Sequence, residues 1–65
     1  MQLNTLIQQA QLKGYKIDSY ESHAQFSLIL RDKDETHIKA WHETSIPRRV
    51  VAKEEIAEKL IQILS

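Results

Sequence analysis

Apolar positions along the chain change their spacing twice. Leu3, Leu6, Ile7 and Ala10 recur at helical intervals, with Gln and Lys residues between them. That spacing predicts a first helix over 3–13. Gly14 follows at once, where a residue able to take a left-handed backbone conformation stops a helix at least cost. From Tyr15 the period falls to two. Residues 15–21 alternate weakly, and FSLILRD alternates well, with Phe26, Leu28 and Leu30 on one side. In THIKAWHE, the same rule sets Ile38 and Ala40 on one side and His37, Lys39 and Trp41 on the other. Polar breaks at Ser22–His23 and Asp32–Glu35 join these runs as two hairpins of an antiparallel meander. Pro47 falls in a stretch, 44–51, that reads as an irregular link. Helical spacing then returns through Ile56, Ala57, Leu60, Ile61 and Leu64. Glu54 and Glu55 lie near the start of this second helix, where its dipole favours acidic residues.

The predicted order is helix, three strands, helix: an α+β domain spanning 1–65, with a three-stranded antiparallel sheet. Two amphipathic helices need an apolar surface, which the sheet supplies through Ile17, Phe26, Leu28, Leu30, Ile38 and Ala40. Both helices are expected on that one face. The other face stays open, and alternation assigns it Lys16, Asp18, Tyr20, Gln25, Ser27, Ile29, Arg31, His37, Lys39, Trp41 and Glu43. His23 joins them if the second strand reaches that far. Lys16, Tyr20, Arg31, Lys39 and Trp41 are the candidate binding residues. They suit base stacking with phosphate contacts, or burial against a protein partner or a second copy of the chain. A tryptophan packed only across its strand neighbours fits the same pattern.

Composition narrows this picture. Nine Lys and Arg balance nine Asp and Glu in 65 residues, without the basic surplus typical of nucleic-acid binders. There is no cysteine, so neither a disulfide nor a thiolate cluster supports the core. A chain this short rarely gains more than roughly 3–5 kcal/mol from one core, which makes pairing with a partner or a homodimer an expectation. No leader-like start or membrane-length apolar run is evident, so a cytoplasmic location and no membrane association are expected.

Metal-site patterns fail on geometry. Asp32, Asp34, Thr36 and Glu43 fall at calcium-loop spacing, but His37 occupies the position that needs glycine. His37 and His42, five apart on a regular strand, are expected on opposite faces and cannot chelate one ion. No metal or other cofactor is expected.

Gly14-Tyr15 at the end of the first helix and Ser22-His23-Ala24-Gln25-Phe26 at the first hairpin carry a family resemblance. So does Ile38-Lys39-Ala40-Trp41-His42, in which Ala40 replaces a proline and His42 matches a histidine. Together they resemble the HicA family of small toxin ribonucleases, over roughly residues 5–60, whose element order is shared with double-stranded-RNA-binding domains. The resemblance implies a messenger-RNA endoribonuclease, working without metal and restrained by a HicB-like antitoxin. It further implies that His23 and Ser22 are the catalytic residues, with His23 as the acid or base. A titratable imidazole suits that role, since it can accept or give a proton near neutral pH. A turn serine and a solvated histidine fit the same stretch. The alternative function is a non-catalytic module that binds protein, itself or RNA through the open face.

Overall fold

The computed structural model describes residues 2–65, in the order α1 (Leu3–Leu12), β1 (Lys16–Glu21), β2 (Phe26–Arg31), β3 (His37–Glu43) and α2 (Ile46–Leu64). The strands form one antiparallel sheet in the order β1-β2-β3. Both helices pack on the same face, as the amphipathic patterns require, and the other face is open.

Helix α1 ends in a Schellman motif. Gly14, at φ 104°, lets its own N–H reach the Gln11 carbonyl and the Tyr15 N–H reach that of Ala10, both at 3.1 Å. These bonds satisfy carbonyls that the helix end would otherwise leave unpaired. Leu6 and Ala10 carry α1 into the core beside Phe26, Leu28 and Leu30 of β2 and Ala52, Ile56 and Leu60 of α2. Leu6, Leu28, Leu30, Ile56 and Leu60 are the largest side chains removed completely from water. Each such burial stabilises the fold by roughly 1.5–3 kcal/mol.

Three expectations need correction. The first concerns β3. Arg31 pairs with His37 but Leu30 pairs with Lys39, so Ile38 is an extra residue, a β-bulge. The bulge shifts the phase of everything after it. Trp41, opposite Leu28, points to the helices and is 4% exposed, whereas Ala40, opposite Ile29, lies on the open face. Lys39 and Glu43 turn to the helix side with Trp41. Ile38 and Trp41 are three apart, and the bulge lets both meet the core.

The second correction is the start of α2. The segment 44–51 is mostly helix rather than an irregular link. Ser45 is the N-cap, its hydroxyl accepting the Arg48 N–H at 3.4 Å. Pro47 sits in the first turn, where its missing N–H has no partner to lose. Thirdly, His37 and His42 share the open face, because the bulge falls between them and reverses the expected parity. Their partners, Arg31 and Ser27, are four residues apart on β2, about 13 Å at strand spacing, so one ion still cannot join them.

Candidate functional site

The β1–β2 turn is built around Ser22. Its N–H donates to the Gln25 carbonyl at 2.8 Å, closing the turn. Its hydroxyl oxygen accepts the N–H groups of Ala24 and Gln25 at 3.2 and 3.3 Å. This is how a serine side chain stabilises a tight reversal, by standing in for a backbone acceptor. His23 occupies the tip and is exposed.

Arg49 fastens this turn to the rest of the molecule. It lies one turn into α2 and reaches back across the sheet end. Nη1 donates to the Ser22 carbonyl at 2.8 Å, while Nη2 donates to the His23 carbonyl at 2.9 Å and the Thr44 carbonyl at 3.4 Å. One guanidinium thus ties together the hairpin, the β3–α2 link and the helix. Its Nε is buried without a partner.

Glu21, Ser22, His23, Ile46 and Arg49 line a shallow cleft between the hairpin tip and the start of α2. His23 was expected to share the open face if β2 extended to it. The strand begins only at Phe26, and His23 instead borders this cleft. Glu21 projects to the helix side, where Lys53 meets its carboxylate at 3.3 Å. The Lys53 ammonium also stands 5.4 Å from the centre of the Phe26 ring. The cleft that His23 borders is thus lined by one cation, Arg49, and one carboxylate, Glu21, the latter already met by Lys53.

The open face carries three cross-strand rows. Tyr20, Ser27 and His42 form the row nearest the His23 turn, Asp18, Ile29 and Ala40 the middle one, and Lys16, Arg31 and His37 the last. His42 Nδ1 and Ser27 Oγ share a hydrogen bond of 3.0 Å, which holds that imidazole across the sheet. Lys16 binds Glu35 at 2.9 Å, and Arg31 binds Asp18. The hydrogen bond from Lys16, helped by its charge, holds the Glu35 carboxyl below the ordinary value.

Of the residues assigned to binding, Lys16, Tyr20 and Arg31 share the open face, but Lys39 and Trp41 do not. Trp41 is part of the core, its Nε1 donating to Glu55 Oε2 at 3.3 Å, with the Lys39 ammonium 5.4 Å from its ring centre. The two histidines singled out by motif, His23 and His42, stand at the same end of the sheet, His23 at the cleft and His42 on the open face. Arg49 was not anticipated. Ser45 and Pro47 could have marked 44–51 as the start of a helix and set Arg49 on it, but nothing in the sequence pointed to its carbonyl partners.

Chemically, the cleft offers one solvated imidazole beside a fixed guanidinium. That pair can move a proton and favour an anion near it. Among the described residues, no group of three or more His, Cys, Asp or Glu side chains is placed to hold a metal ion, and no helix is long and apolar enough to cross a membrane. Comparison of the chain with protein-family models, with curated proteins and with solved structures found no match.

Proposed function

We propose that the chain is a HicA-like endoribonuclease toxin that cleaves messenger RNA, with His23 as its acid–base residue and a HicB-like antitoxin as its restraint. The observation that carries this reading is the exposed His23 imidazole on a turn whose two carbonyls are held by Arg49. A fixed backbone under a solvated imidazole suits proton transfer, because the ring can be presented to substrate without first ordering the loop. In the reaction, the ribose 2′-hydroxyl loses its proton and its oxygen attacks the adjacent phosphorus. The 5′-oxygen then departs with a proton, leaving a 2′,3′-cyclic phosphate. His23 takes the first proton or gives the second. Ser22 shapes the turn, since its hydroxyl is already occupied by two backbone N–H groups. With Trp41 in the core, Tyr20 is the stacking surface, and Lys16 and Arg31 lie on the same face for phosphates.

The test is cleavage of a defined messenger RNA by the purified chain, beside growth after induced expression. Cleavage yielding cyclic-phosphate ends and growth arrest are expected, both abolished by His23→Ala. Equal behaviour of the two proteins in both assays sinks the reading.

A second reading, a non-catalytic binding module, draws on a different observation. Lys16 and Arg31 are already matched by Glu35 and Asp18, which leaves Tyr20, Ile29 and Ala40 as a largely neutral strip for a protein surface. It requires partner capture that survives His23→Ala and is lost with Tyr20→Glu.

A further inference from the structure

The sheet has two outer edges, and they differ. On β3, the bulge at Ile38 interrupts the regular succession of outward N–H and C=O groups and increases the local twist, a device that discourages pairing. β1 has no such protection. It is six residues long, pairs in unbroken register from Lys16–Arg31 to Glu21–Phe26, and contains neither proline nor glycine. No strand lies beside its outer edge among the described residues. Every β1 residue except Ile17 is exposed, including Ser19 and Glu21 on the helix side.

We propose that this free edge of β1 pairs antiparallel with the same edge of a second copy of the chain, centred on Ile17. Symmetry limits the choices. A two-fold axis perpendicular to the sheet keeps each side chain on its own face, so only residues of like parity can be brought opposite each other. Centring on Asp18 sets that carboxylate against itself, which is destabilising. Centring on Ser19 sets the half-buried Ile17 against Glu21 and joins no opposite charges. Centring on Ile17 brings Ile17 against Ile17 and Lys16 against Asp18 of the second copy, twice.

The charges around β1 match that register. Lys16 is held by Glu35 on one side and is about half exposed, and Asp18 is held by Arg31 and is 67% exposed. Pairing about Ile17 joins the two bridges into a chain of alternating sign. It runs from Glu35 to Lys16, then to Asp18 and Arg31 of the second copy, with its symmetric twin alongside. Opposed charges across strands add to the main-chain bonds and specify the partner. The surface does not involve His23, but it shares Lys16 and Arg31 with the phosphate contacts of the proposed function, so association is read by sedimentation and not by cleavage.

Sedimentation of the whole chain over a wide concentration series tests this. A reversible monomer–dimer equilibrium is expected. Asp18→Lys alone, or Lys16→Asp alone, sets like charges in register and weakens association by about tenfold or more. Combining Lys16→Asp with Asp18→Lys recovers part of it relative to either single exchange, since opposite charges again meet across the interface although Glu35 and Arg31 then face like charges within each copy. Circular dichroism of each variant checks that the monomer stays folded. A monomer at every concentration overturns the proposal. So does a dimer indifferent to the single exchanges, or one that the double exchange fails to recover.

Discussion

Arg49 donates to the carbonyl of His23 at 2.9 Å, across a sequence separation of 26 residues. Charged donors form the stronger kind of hydrogen bond, and this one belongs to a set of three on a single guanidinium. Arg49→Ala removes all three and leaves the Ser22 and His23 carbonyls to water. A loss of about 2 kcal/mol is expected in denaturant unfolding, with faster amide exchange at Ala24 and Gln25. Arg49→Lys recovers only part, because a point charge cannot span three carbonyls as a planar fork does. An unchanged unfolding midpoint for Arg49→Ala contradicts this account.

Trp41 is expected to act as a core residue in every assay. Trp41→Ala should cost about 3–5 kcal/mol through the cavity and lost burial. Trp41→Phe retains most of the packing but drops the bond to Glu55, for a smaller loss of about 1 kcal/mol. Trp41→Lys should unfold the chain outright. A folded Trp41→Lys protein by circular dichroism would show that the side chain is not in the interior.

Gly14 is constrained by its backbone and not by crowding. A Cβ there would lie 3.5 Å from Lys33 Cβ, an ordinary contact, but φ is 104°. Gly14→Ala should therefore destabilise by about 1–2 kcal/mol from conformational strain alone. Thermal unfolding of the two proteins decides it, and equal midpoints go against the left-handed turn.

Glu35 gives an acid-sensitive contribution. Its carboxyl is held below the ordinary 4.5 in the folded chain, mainly by the Lys16 hydrogen bond. A carboxyl depressed in the folded state favours folding above its unfolded pKa, and that benefit is lost as pH falls through the folded one. The thermal-stability gap between the natural chain and Lys16→Met should be present near neutrality and shrink as the pH falls below 4.5. The site is fully solvated, so the gap is small and shrinks further with added salt. A gap that widens on acidification reverses the assigned sign.

The element order, the phase of β2 and the glycine stop after α1 were legible because each rests on a local rule. Phe26, Leu28 and Leu30 alternate without interruption, and Gly14 is the single glycine in the chain. The phase of β3 was not legible. Strict alternation cannot place Ile38 and Trp41 on one side, and the bulge that does so carries no glycine to mark it. Pro47 was read as a break, although Ser45 two residues earlier offered a cap that makes proline acceptable in a first turn. His23 was recognised as a turn residue, but the side it borders depends on where β2 begins. Arg49 lay beyond local reasoning because its partners are main-chain carbonyls, which any residue type can present.

The extra residue in β3 also bears on solubility. A sheet with two straight rims can add molecule upon molecule, and open-ended stacking of that kind is the route to fibrils. Here one rim is straight and the other is kinked at Ile38, so a strand joining the straight rim leaves only kinked ones exposed. Removing Ile38 would straighten the second rim, and with it open the way to precipitation that the present shape obstructs.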